Sequence, residues 1–111
     1  MKNKFKNKKV LITGHTGFKG SWLAAWLNQL QAKVIALSKD IPTNPSHYEL
    51  IKDSFASDIR MDITNYTEIY KRILHYKPHY LFHLAAQPIV LTSYDDPLTT
   101  FQSNTIGTLN I

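Results

Sequence analysis

The run Lys9-Val10-Leu11-Ile12-Thr13 leads directly into Gly14-His15-Thr16-Gly17-Phe18-Lys19-Gly20, and that junction constrains the fold more than any other stretch. The run is aliphatic and β-branched, as a short buried strand requires. From Phe18 to Leu30 the apolar residues Trp22, Leu23, Trp26, Leu27 and Leu30 recur at helical spacing. Three glycines therefore stand, three residues apart, where a strand turns into a helix. The first lets the chain leave the strand tightly. The second has no Cβ, so its backbone can be approached closely. The third lets the helix pack near the sheet. The chain has four glycines in all, and a bare turn does not explain three of them at this spacing.

Alternation continues downstream. Lys33 to Leu37 reads as a second strand, and Pro42 and Pro45 break the chain into a loop. A short helical turn is expected near Tyr48 to Lys52, and a third strand within Phe55 to Ile63, centred on Asp58 to Asp62. Asn65 and Glu68 have capping-box spacing ahead of a helix whose apolar face is Tyr66, Ile69, Tyr70, Ile73 and Leu74. Pro78 stops that helix. His79 to Leu84 is a fourth strand, and Asp96-Pro97 has the residue types of a helix start. Strands alternating with helices predict an α/β fold, a doubly wound parallel sheet of the Rossmann type. Right-handed crossovers give the strand order 3-2-1-4. Such sheets usually have six strands. Residues 1–111 are therefore expected to be the N-terminal part of a dinucleotide-binding domain, with strand four an open edge.

The glycine turn is then a candidate phosphate site. A helix N-terminus offers unpaired N–H groups and partial positive charge to an anion. Gly14, Thr16, Gly17, Phe18, Lys19 and Gly20 are the candidate cofactor contacts, Thr16 through its hydroxyl and Lys19 through its charge. An ATP-type P-loop needs Gly-Lys-Ser/Thr, and here lysine and glycine are reversed in Lys19-Gly20-Ser21. An acid about twenty residues past the turn commonly binds ribose hydroxyls in such folds. Asp40 has that spacing, Ser38 lies nearer the strand end, and either can serve. Lys39 favours a 2′-phosphate, but no arginine stands near it, which favours NAD over NADP.

Charge and composition exclude other classes. The formal charge is +5, but Lys2, Lys4, Lys6, Lys8 and Lys9 carry the excess, and the other eight basic residues balance eight acidic ones. With no aromatic or arginine pattern alongside the lysines, residues 1–8 read as a flexible, solvated arm and not as a nucleic-acid site. No apolar run reaches membrane-spanning or signal-peptide length, and a cytoplasmic location is expected. With no cysteine there is no disulfide or zinc-thiolate chemistry. The five histidines show no ligand spacing, so no metal site is expected. Trp22 and Trp26 are expected to pack the helix onto the sheet.

Gly14-His15-Thr16-Gly17-Phe18-Lys19-Gly20-Ser21-Trp22-Leu23 resembles the opening motif of the CDP-glucose 4,6-dehydratases, members of the extended short-chain dehydrogenase/reductase superfamily. Pro42-Thr43-Asn44-Pro45-Ser46, Phe82-His83-Leu84-Ala85-Ala86-Gln87-Pro88, Ser93-Tyr94, Asp96-Pro97 and Asn104-Thr105-Ile106-Gly107-Thr108 extend the likeness in order. The resemblance implies tightly held NAD, a nucleotide-sugar substrate such as CDP-glucose, and a homo-oligomeric parent. It implies an acid–isoleucine pair at the adenine, for which Asp62-Ile63 fits the spacing better than Asp58-Ile59. It implies that Leu84, Ala85, Ala86 and Gln87 run past the cofactor and that Asn104 supports the active site. In the implied reaction hydride leaves the sugar C4 for NAD, water is lost across C5 and C6, and hydride returns to C6.

This chain departs from the family at Leu91, where arginine is usual, and at Gln31, where a helix-ending glycine is usual. The superfamily's catalytic Tyr-x-x-x-Lys follows strand five. Tyr48-Glu49-Leu50-Ile51-Lys52 has those letters after strand two and reads as a decoy. No catalytic residue is therefore expected here, and the chain alone is expected to be inert. Rivals are a GDP-mannose dehydratase, a nucleotide-sugar epimerase, or a non-catalytic dinucleotide-binding remnant.

Overall fold

A computed structural model describes residues 2–111. Four parallel strands form one sheet: β1 (Lys9–Thr13), β2 (Lys33–Ser38), β3 (Ser57–Arg60) and β4 (Tyr80–His83), in the order β3-β2-β1-β4. Helix α1 (Phe18–Gln29) connects β1 to β2. The short α2 (Tyr48–Ile51), continued as a 3-10 turn over Lys52–Ser54, precedes β3, and α3 (Tyr66–Tyr76) connects β3 to β4. Register aligns Thr13 with Leu37 on one side and His83 on the other. Strand ends therefore meet at one rim of the sheet.

The period-two alternation of β1 divides the core. Val10 and Ile12 face Ala24, Leu27 and Val34, with Phe55 and Phe82 packed around them. Leu11 faces the opposite way, with Ile35, Leu37 and Ile69. Both sheet faces are covered, as expected of near-continuously apolar central strands.

The helices show where patterning misled. In α1 the buried residues are Gly20, Ser21, Ala24 and Leu27, whereas Trp22 and Trp26 are exposed. Small residues bring this helix close to the sheet, so the tryptophans fall outside the contact. Trp22 instead stacks on His47, ring centres 4.1 Å apart. In α3 the face is rotated: Ile69 is buried, Ile73 and Tyr76 pack beside it, and Tyr66, Tyr70 and Leu74 are exposed. Asn65 caps α3 by accepting the Glu68 amide at 3.2 Å. The reciprocal half of a capping box is replaced by an ion pair from Glu68 to Lys71.

Gln31 has φ +60°, the left-handed conformation a glycine would adopt more easily, as the departure at that position implied. The basic stretch before β1 is docked, where the sequence suggested a frayed arm. The Asn7 amide donates to the Gln31 carbonyl at 2.9 Å, Asn3 Nδ2 donates to the Leu30 carbonyl, and Phe5 meets Tyr80 edge-on at 5.1 Å.

After β4 the chain forms α4 (Val90–Asp95), which the sequence did not reveal, and then α5 (Pro97–Phe101), a π-helical turn (Gln102–Ile106) and α6 (Gly107–Asn110). Asp96 caps α5 through the Thr99 amide at 3.1 Å, with Pro97 in the first turn. Among the described residues, no helix is long and apolar enough to cross a membrane.

Candidate functional site

The crossover helices on either side of β1 leave to opposite faces of the sheet, so the crevice above the strand ends at β1 and β4 is the topological switch point. Two loops meet there. Gly14 takes φ +80°, and an added Cβ would lie 2.6 Å from both the Leu84 carbonyl carbon and the Ala85 nitrogen. At Gly20 an added Cβ would overlap the Gly14 carbonyl oxygen and come within 2.9 Å of the His15 Cα. Both positions are held small by the fold itself.

Gly17 is different. Its backbone is extended, at φ −77° and ψ 170°, which any residue adopts. An added Cβ there would meet only the Gly14 oxygen, at an ordinary 3.5 Å. The fold does not require glycine at this position. Gly17 caps α1 without any side chain to accept its amides, and the first turn carries no acid. Among the described residues, the amides of Phe18, Lys19 and Gly20 have no protein acceptor. Beside them a cavity of about 240 Å³ opens between Thr16, Gly17, Phe18 and the Thr43–His47 loop. Unpaired donors, a positive helix terminus and an open glycine face make a cradle that fits a phosphate group.

The β2 end is arranged less simply than the spacing suggested. Ser38 is buried, and its hydroxyl bonds to His15 Nδ1 at 2.9 Å while accepting the Thr16 amide at 3.4 Å. Thr16 is also buried, and its hydroxyl donates to the Asp40 carbonyl at 2.6 Å. The Asp40 side chain remains at the surface. Lys39 pairs with Asp62 at 3.3 Å, and Arg60 pairs with Asp58 at 3.0 Å. Burial pushes the Asp62 carboxyl up, but the Thr64 amide and hydroxyl, with Lys39, together hold it below the usual carboxylate range. Ile63 is buried, and its side chain occupies the space where Gly107 would otherwise carry a Cβ.

The β4 loop is held by a directional chain of hydrogen bonds. Thr13 Oγ accepts the Leu84 and Ala85 amides, each at 3.2 Å, so its own proton goes to His83 Nδ1 at 2.6 Å. His83 Nε2–H then donates to Thr108 Oγ at 2.9 Å, and Thr108 donates to the Asn104 carbonyl at 2.7 Å. Asn104 clamps both main-chain polar groups of Gln87: Oδ1 accepts the amide at 2.7 Å and Nδ2 donates to the carbonyl at 3.0 Å. Asn104 lies in the π turn, a distortion common at functional sites. Ala86, between the fixed residues, is exposed.

The structure therefore brings Gly14, Thr16, Gly17, Phe18, Lys19 and Gly20 together at the mouth of the crevice, with Leu84 and Ala85 against Gly14. Asn104 reaches the crevice through its side chain on Gln87 and, from its carbonyl, by way of Thr108 and His83. His83 and Thr108 stand in the family-like motifs, but nothing local marked Thr13, His83 and Thr108 as a hydrogen-bonded set, because Thr13's partners lie 70 to 72 residues away. The Tyr48–Lys52 pair is spent elsewhere: the Tyr48 hydroxyl donates to Asp58, and Lys52 pairs with Glu49.

Residues 11–111 match the family model described as GDP-mannose 4,6 dehydratase. The chain belongs to this family. Among curated members and relatives, it is 42% identical to the CDP-glucose 4,6-dehydratase of Salmonella typhimurium over 99% of its own length, and 30% identical to the GDP-mannose 4,6-dehydratase of Vibrio cholerae over 95%. It spans 31% and 30% of those proteins. The X-ray structure of Pal from Bacillus thuringiensis superposes on 92% of the chain with TM-score 0.83 at 30% identity, the chain covering 33% of Pal. The UDP-glucose 4-epimerase of Thermus thermophilus, solved in complex with NAD, superposes on 92% of the chain with TM-score 0.80 at 27% identity, the chain covering 32% of it. The strand order β3-β2-β1-β4 is that of the Rossmann-type fold this family shares.

Proposed function

We propose that the chain is the dinucleotide-holding portion of a nucleotide-sugar 4,6-dehydratase, that the dinucleotide is NAD, and that the sugar nucleotide is CDP-glucose. The observation that carries the reading is Gly17: the fold has room for a side chain there, and the three free amides beside it have no partner within the described residues. The amides of Phe18, Lys19 and Gly20 would hold the diphosphate, with the Lys19 ammonium adding charge. Asp62-Ile63 would border the adenine. Asp40 is the acid left for ribose, since the Ser38 hydroxyl is committed inward. Leu84, Ala85, Ala86 and Gln87 would flank the nicotinamide half, fixed by Asn104. NAD is favoured over NADP because Lys39 and Arg60 are both paired with carboxylates. The nicotinamide ring, when bound, supplies a hydride acceptor that can return the hydride. This chain's residues orient it and exclude water.

CDP-glucose is favoured over GDP-mannose by the higher identity to the Salmonella enzyme. The chain alone is expected not to turn over CDP-glucose, because Tyr48 and Lys52 are turned to structural partners. The test is calorimetric titration of NAD into the wild-type chain and into Gly17→Ala. The wild type binds; Gly17→Ala keeps its thermal midpoint but loses affinity about tenfold or more, as expected when a methyl group blocks a charge-assisted contact. Equal affinity in both would contradict the reading.

A further inference from the structure

His15 is the side chain inside the phosphate turn, and it is fully buried. It meets the rings of Tyr48 and Phe55 edge-on, at 5.4 and 5.0 Å between centres, and those two rings stack on each other at 6.2 Å. Its two nitrogens face different elements. Nε2 is 2.8 Å from Asp58 Oδ1 on β3, and Nδ1 is 2.9 Å from Ser38 Oγ at the end of β2. Asp58 also receives the Tyr48 hydroxyl and Arg60 Nη1.

The partners assign the protons. Nε2 faces the Asp58 carboxylate at 2.8 Å and Arg60 Nη1 at 3.4 Å, and the nearer, acceptor-only carboxylate assigns hydrogen to Nε2. Burial lowers the imidazole's affinity for a second proton and Arg60 adds to this, while Asp58 and the Leu37 carbonyl oppose it. In a neutral ring whose Nε2–H is turned to the carboxylate, Nδ1 is the acceptor. Ser38 therefore donates to Nδ1, which leaves its lone pairs for the Thr16 amide at 3.4 Å. The polarity runs one way: Thr16 N–H to Ser38, Ser38 to His15, His15 to Asp58. Thr16 in turn holds the Asp40 carbonyl.

We propose that His15 is the positioning residue of the dinucleotide site: through Ser38 and Thr16 it locks the phosphate turn and the loop after β2 into one geometry, with Asp58 as its orienter. This rests on the dinucleotide reading above. The imidazole suits the task because it presents an acceptor on one edge and a donor on the other in a single rigid ring. A locked turn binds more tightly because less ordering is left to be done on binding.

The test uses the whole chain and three variants: Ser38→Ala, His15→Gln and the double variant. Gln keeps a donor for Asp58 and loses the acceptor for Ser38. Calorimetry with NAD is paired with the thermal midpoint and with imidazole nitrogen NMR. Each single variant should bind NAD about tenfold more weakly. The double variant should be no weaker than either single one, because both cut the same chain. The wild-type spectrum should show a pyridine-type Nδ1 and a protonated Nε2 for His15, and Ser38→Ala should shift the Nδ1 signal.

Variants that bind NAD like wild type, losses that only track a falling midpoint, or fully additive losses would overturn the proposal. So would a His15 protonated on Nδ1. A wild-type chain that takes up no NAD would overturn the underlying reading and this proposal with it, whereas a binding wild type with unaffected variants overturns this proposal alone.

Discussion

At the scale of single residues, the three glycines of one motif do three different jobs. Gly20→Ala should destabilise the chain by about 3 kcal/mol, since the new methyl meets backbone that cannot move aside, while Gly17→Ala should leave stability nearly unchanged. Chemical denaturation of the two variants separates them, and equal losses would refute the distinction. Two imidazoles, the buried His15 and the half-buried His83, add a pH dependence. Burial lowers His15, against Asp58, and lowers His83, both from 6.5. The unfolded chain therefore takes up protons below 6.5 before the folded chain does. Their contribution is full above 6.5 and is lost as pH falls toward the folded values. The thermal midpoint should drop from about pH 7 to about pH 5, and His83→Gln should reduce that drop; a flat profile would contradict the burial argument. Gly14, Gly17 and Gly20 were legible in the sequence because their spacing has a local cause. The commitments of Ser38 and His15 were not, because Asp58, 43 residues from His15, becomes a neighbour only when β3 joins the sheet.

At the scale of elements, strand positions were legible because β1 and β2 are short apolar runs flanked by turn residues. Helix faces were less so. In α1 the large residues suggested the contact face, but close approach at Gly20 selects Ser21 and Ala24 for burial and turns Trp22 outward. In α3 both tyrosine and isoleucine counted as apolar, and only the unexposed Ile69 decides the orientation. Caps were read correctly because they are local: Asn65 and Asp96 each accept an amide three residues ahead. Asn65→Ala should cost about 1 kcal/mol of stability in urea denaturation, with Asn65→Asp close to wild type. No loss would mean that packing alone sets the start of α3. The π turn had no signature, since Gln102–Ile106 is sequence compatible with an ordinary helix.

For the whole molecule, alternation and handedness were sufficient to predict the order β3-β2-β1-β4, and with it the place where two loops converge. Chemistry was legible only where the loops carry their own punctuation. The Thr13–His83–Thr108 chain and the Asn104 clamp on Gln87 depend on β1, β4 and the final helical segment meeting, and no local pattern announces that meeting. Amide proton–nitrogen spectra of the intact chain, recorded while NAD is added, address the diphosphate cradle most directly. The account predicts saturable shifts greatest at Phe18, Lys19 and Gly20, reproduced by ADP-ribose. Saturable binding that leaves those three amides unmoved, with the shifts concentrated elsewhere, would contradict it.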